Sequence, residues 1–126
     1  MEISPLLDIA PGVTALIGGG GKTTLLYTLT EELRTRGSVI LCTSTGIRVP
    51  TQYEVLTSSD PAAVSKALVR RGAVCVGTVG PEGKLHQSAL SFSDLGTLAD
   101  YVLVEADGSR GLPLKAHKSS KVRKGQ

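Results

Sequence analysis

The chain has 126 residues, 40% hydrophobic and 20% charged, with a formal net charge of +3. That much apolar content at so small a net charge excludes a disordered chain, and the length suits one domain burying roughly two-thirds of its unfolded surface. No apolar run approaches the roughly 18 residues that cross a bilayer, and Met1-Glu2-Ile3-Ser4-Pro5 has no basic start before an apolar stretch, so a cytoplasmic protein without membrane contact is expected.

The elements follow in chain order. Val13 to Ile17 is a short apolar, β-branched run that Gly18 to Gly21 break, and from Lys22 the pattern turns helical. Leu25, Leu29 and Leu33 fall at i, i+4 and i+8 with Leu26 beside them, and Gly37 is read as the stop. Ser38 to Cys42 is a second strand, and Pro50 interrupts the loop after it. Asp60-Pro61 reads as an N-cap followed by proline at the first helical position, which predicts a helix to about Arg71 ended by Gly72. Ala73 to Val79 is a third strand, Pro81-Glu82-Gly83 a turn, Ser93 to Ala99 a short helix, and Tyr101 to Val104 a fourth strand. These strands are continuous apolar runs, so both faces must be covered. The expected fold is α/β: a three-layer parallel sheet flanked by helices.

The sequence pI of about 9.0 belongs to one end of the chain. Residues 1–114 hold nine Lys or Arg against eleven Asp or Glu, whereas residues 115–126 hold five basic residues and no acid. Residues 1–114 are therefore expected to be the folded domain and residues 115–126 a basic, disordered tail. Such a tail can be an arm for nucleic acid or an anionic membrane, but a solvated end is preferred. With no Trp and 3% aromatic residues, a stacking platform for single-stranded nucleic acid is not expected.

The informative segment is Gly18-Gly19-Gly20-Gly21-Lys22-Thr23-Thr24, after a strand and at the start of a helix. Glycines let several N–H groups turn inward as an anion nest, the helix start adds its positive end, and Lys22 adds a compact charge. Thr23 offers a hydroxyl where Mg²⁺ would bind a nucleoside triphosphate. The fit to G-x-x-x-x-G-K-[ST] is incomplete, since Leu16 stands at the first glycine position. The segment matches the shorter G-x-x-G-K-T-T of Mur-ligase-like loops. It also matches the G-G-x-G-K-[ST] core of deviant P-loop ATPases, with Ile17 in place of their preceding lysine. A dinucleotide fingerprint fails because Thr23 stands where its third glycine belongs.

The second constellation is Tyr101-Val102-Leu103-Val104-Glu105-Ala106-Asp107-Gly108-Ser109-Arg110, an apolar strand running into two carboxylates. In a parallel sheet it ends at the edge where the glycine loop lies. Glu105 or Asp107 could then hold Mg²⁺ while the other positions a nucleophile, with Lys22 and Asp107 the candidate catalytic pair. The alternative is a cap or a loop ion pair with Arg110.

Together with Thr43-Ser44-Thr45 after the second strand, the segments G-G-G-G-K-T-T-L-L and E-A-D-G-S-R-G-L-P-L-K-A resemble the YqeC-type proteins over about residues 5–116. That resemblance implies a P-loop NTPase-like parallel sheet flanked by helices, with residues 1–114 as the P-loop nucleotide-binding domain of an accessory protein for selenium-dependent molybdenum hydroxylases, acting in selenium cofactor biosynthesis. It implies that Gly18, Gly19, Gly20, Gly21, Lys22, Thr23 and Thr24 form the phosphate loop, and Glu105, Asp107, Gly108 and Ser109 the second segment. Members of that family continue well past the Lys-Ala pair, so a truncated chain with an incomplete C-terminal part of the fold is expected.

Weaker signals remain. Thr43, Ser44 and Thr45 could bind Mg²⁺ or phosphate, or form a hydrogen-bonded turn. Arg48, Arg110 and Lys115 could meet an anionic substrate, with solvated charge preferred. His86 and His117 lack the companions of a zinc site. Cys42 and Cys75 lie in apolar runs and read as small buried hydrophobes rather than a redox pair. The chain has no asparagine and no Lys-x-Asp guanine reader, so ATP and GTP both stay open. An Mg-dependent NTP-binding and NTP-hydrolysing factor working with a molybdenum hydroxylase or its cofactor machinery is the leading expectation. A nucleotide-gated binding module without enzymatic activity, a small kinase or ligase, and an inactive fragment are the alternatives.

Overall fold

The computed structural model describes residues 9–17, 22–106 and 115–118, with backbone alone for Lys22 and the last four. Six strands form one parallel sheet in the order β4-β5-β2-β8-β1-β9: β1 Gly12–Ile17, β2 Val39–Thr43, β4 Glu54–Leu56, β5 Ala73–Val76, β8 Tyr101–Glu105 and β9 Lys115–Lys118. A small antiparallel sheet has the order β3-β7-β6, from Gly46–Arg48, Lys84–His86 and Thr78–Val79. The helices are α1 Lys22–Leu33, α2 Pro61–Arg71 and α3 Phe92–Gly96. The protein is thus α/β, with a mostly parallel central sheet and helices on both of its faces.

Strand periodicity assigns each residue to a face. Val39, Leu41, Ala73, Cys75, Tyr101 and Leu103 share a core with Leu26, Leu29 and Leu33 of α1 and with Ile47 and Leu85 of the small sheet. Ile40, Cys42, Val74, Val76, Val102 and Val104 share the other core with Val64, Ala67 and Leu68 of α2 and Leu95 of α3. This is why the strands read as unbroken apolar runs: every residue of β2, β5 and β8 is buried.

The α2 boundaries agree with the sequence. The Asp60 side chain accepts from the Ala62 N–H, Pro61 opens the helix, and Gly72 ends it at φ +82° with its N–H on the Leu68 carbonyl. Gly37 has a different reason from the one expected. Its φ is not positive, but a Cβ there would fall on the Asp100 carboxylate, which accepts from Ser38 N at 2.9 Å.

Three expectations change. The strand drawn through Val79 breaks at Gly77, where any Cβ would collide with the His86 carbonyl as β7 crosses; β6 and β7 then pair as a hairpin. The short helix lies at Phe92–Gly96, capped by the Ser91 hydroxyl. Lys115–Lys118, placed at the start of a disordered tail, is instead an edge strand parallel to β1, and two lysines in four residues suit an edge. Residues 119–126 lie outside the described residues. No helix among the described residues is long and apolar enough to cross a membrane.

Candidate functional site at the carboxyl edge of the sheet

All six main strands run the same way, so their exits share one edge. From β1 the chain crosses through α1 to β2, passing over β8; from β8 it goes on to β9, on the far side of β1. The strand order therefore reverses around β1 and β8, and the crevice beyond their carboxyl ends is where open α/β sheets bind ligands. Residues 18–21 join the end of β1 to the start of α1 at this point.

Glu105 closes β8 there. It is 7% exposed, a rare state for a carboxylate, and its strand neighbours in register are Leu16 of β1 and Thr43 of β2. The strand period puts it on the face of Tyr101 and Leu103, the face α1 covers. Because α1 starts immediately after the β1 exit, the carboxylate lies on the same face and at the same edge as the helix N-terminus.

The β2 exit meets Glu105 from the other side. Ser44 N donates to the Glu105 carbonyl at 3.0 Å and the Thr43 hydroxyl to the same oxygen at 3.1 Å. Thr45 N donates to Thr43 Oγ1 at 3.0 Å, closing a hydroxyl turn, and Thr45 Oγ1 donates to Glu105 Oε1 at 3.3 Å. The hydrogen-bonded turn expected for Thr43-Ser44-Thr45 is present, and it grips a residue 60 positions away. The link to Thr45 has no signal in the sequence, since only the β2–β8 register brings the two together.

Thr23 and Thr24 are exposed in the first turn of α1, which carries no carboxylate of its own. The Thr24 carbonyl accepts from the Thr28 hydroxyl at 2.9 Å. Lys22 opens α1. Gly18, Gly19, Gly20, Gly21, Asp107, Gly108, Ser109 and Arg110 lie outside the described residues. The structure thus brings Thr43, Thr45 and Glu105 together beside the β1 exit and the α1 start.

The weaker candidates fall elsewhere. Arg48 and His86 sit on the small sheet, Arg48 exposed and His86 half-buried. His117 and Lys115 belong to β9. Among the described residues no three His, Cys, Asp or Glu side chains gather as a metal cluster. Cys42 and Cys75 are fully buried free thiols in opposite cores, so the sheet separates them and a disulfide between them is ruled out. Burial pushes the Cys75 thiol up to about 12 and the Cys42 thiol higher still, leaving neither nucleophilic. An open cleft of about 380 Å³, lined by Arg34, Tyr53, Glu54 and Arg71 among others, lies at the opposite edge, where β4 and β5 begin.

The family model for the YqeC protein matches residues 14–122, nearly the whole chain and past the point where the resemblance was drawn. The chain belongs to the YqeC family. It is 36% identical over 113 residues to the "Uncharacterized protein YqeC" of Escherichia coli (strain K12), an alignment covering 84% of this chain and 44% of that protein. The chain thus spans under half the length of that curated relative. No solved structure matches it.

Proposed function

We propose that this chain is the nucleotide-binding part of an Mg-dependent, NTP-hydrolysing accessory factor for the maturation of selenium-dependent molybdenum hydroxylases. The observation that carries the nucleotide reading is Glu105, buried at the end of β8 where the strand order reverses, on the face and edge of the α1 N-terminus. An acid-free helix start after a glycine run favours an anion from outside the chain. Lys22 would meet the terminal phosphates, with Gly18 to Gly21 and Thr24 as backbone and hydroxyl donors around them.

The donor chemistry fits the cation. Thr23, Glu105 and Asp107 offer hard oxygens, which Mg²⁺ prefers over nitrogen or sulfur, and Mg²⁺ would supply charge neutralisation at the phosphates. The base, adenine or guanine, stays open. The role toward a molybdenum hydroxylase rests on family membership.

The test is calorimetric titration of the chain with Mg-ATP and Mg-GTP, with Lys22→Ala as the variant. At least one nucleotide should bind the native chain, and the variant should lose at least about a hundredfold in affinity, near 3 kcal/mol. Unchanged affinity in Lys22→Ala would falsify the assignment. Mass spectrometry of nucleotide released from the purified, denatured protein gives the base.

A further inference from the structure

Resting on the nucleotide and Mg²⁺ reading above, we propose that Thr45 is a positioning residue: its hydroxyl sets the Glu105 carboxylate for the divalent cation. A glutamate at a strand end has three side-chain torsions, and a carboxylate that must meet a small cation gains from having them fixed in advance. The β2 exit does this from both ends of the residue. Ser44 N and the Thr43 hydroxyl hold the Glu105 carbonyl, while Thr45 Oγ1 holds the Oε1 oxygen.

Proton accounting assigns the donors. Each hydroxyl has one hydrogen. Thr43 gives its hydrogen to the Glu105 carbonyl and accepts from Thr45 N, so its oxygen is engaged on both sides. Thr45 then gives its hydrogen to Glu105 Oε1, and the 3.3 Å approach of the two hydroxyl oxygens needs no proton between them. The turn therefore spends both hydroxyl protons on one residue. At 3.3 Å the bond to Oε1 is longer than the roughly 2.5–2.7 Å of a strong O–H···O⁻ contact. It orients the carboxylate without competing seriously with a dication.

The turn also gives the arrangement a route outward. Thr45 is followed directly by Gly46, the first residue of β3, so the small sheet starts at the residue after the one that holds the carboxylate. A purely structural turn would need only the bonds to the Glu105 carbonyl; the contact to Oε1 is the additional one, and it is what the test addresses.

The experiment titrates Mg²⁺ into the chain at fixed fluorescent ATP analogue and reads the Mg²⁺ concentration for half-maximal binding. Thr45→Val keeps the branched shape and removes the hydroxyl; it should raise that concentration about tenfold while leaving metal-free nucleotide affinity unchanged, the effect of one hydrogen bond to a charged group. Thr45→Ser should return it to within about twofold of the native value. In a Glu105→Gln background, Thr45→Val should add nothing further, because the residue acts through the carboxylate. Should Thr45→Val not fold, Thr45→Ala carries the same expectation without a branch to pack. Native-like Mg²⁺ dependence in the hydroxyl-free variant, loss in Thr45→Ser equal to that in Thr45→Val, or full additivity with Glu105→Gln overturns the proposal while the nucleotide site stands. A native chain that binds no nucleotide removes both.

Discussion

The two edges of the main sheet carry similar polar residues and use them differently. At the amino edge the charged groups hold one another. Asp100 accepts from Ser38 N and Oγ, Glu31 accepts from Tyr53 at 2.6 Å and from Arg34, Arg34 reaches the Arg71 carbonyl at 2.7 Å, and Glu54 takes Arg70 and Arg71. These contacts close loops onto strand starts and need no further partner. At the carboxyl edge, two threonine hydroxyls converge on one buried residue, Glu105, beside the exit of β1: Thr43 on its carbonyl and Thr45 on its carboxylate. Equal polarity at both ends of a sheet therefore says little about function; the direction in which the groups are spent says more.

If that contrast holds, substitutions at the two edges should separate binding from stability. The largest effect belongs to Lys22→Ala, a loss of at least about a hundredfold in nucleotide affinity with little change in melting temperature. Asp100→Ala should do the reverse. It strips an acceptor from Ser38 N and Oγ and should cost about 2 kcal/mol of stability, read by urea titration, with nucleotide affinity unchanged. A stability loss in the first variant as large as in the second would erase the distinction between the edges.

The sequence made four strands of the main sheet, β1, β2, β5 and β8, and helix α2 legible because their signals are local and dense; the three-residue β4 was not among them. Asp60-Pro61 and Gly72 mark both ends of a helix, and unbroken apolar runs mark strands buried on two sides. The small sheet was not legible: its strands are two or three residues long, too short for a period of two to show. Lys115–Lys118 hid as a strand because its composition is that of a solvated tail, and only pairing to β1 reveals it. At the site, Glu105 was visible as a carboxylate ending an apolar strand. Its tie to Thr45 was not, because the contact depends on the lateral register of β2 and β8.

A smaller effect is expected from the α2 cap. Asp60→Ala leaves the Ala62 N–H without its side-chain acceptor and should cost about 1 kcal/mol. Asp60 caps the helix that follows the exit of β4, three strands away from β8 in the sheet, so the loss should appear in the urea midpoint alone and leave nucleotide affinity untouched. A change in affinity would mean that α2 communicates with the β8 exit through β5 and β2.

The smallest effect tests whether the amino edge is self-contained down to its protons. The Tyr53 hydroxyl beside Glu31 is the main cause holding that carboxyl below its usual range, with Arg34 adding to it. A carboxyl depressed in the folded chain stabilises it above the unfolded value, near pH 4.3, and that contribution disappears as pH falls through the lower folded value. Burial, followed by the same hydrogen bond, raises the Tyr53 phenol above 10. This second contribution is complete below pH 10 and fades as pH rises past it. Tyr53→Phe should therefore flatten the stability profile at both its acid and alkaline ends, with the loss relative to the native chain largest between them and small in size, since the Glu31 side chain is 59% exposed and well screened. The measurement is the urea midpoint between about pH 3 and pH 11. A variant profile as steep as the native one would place the proton linkage elsewhere, and the amino edge would no longer be the self-satisfied counterpart of the site across the sheet.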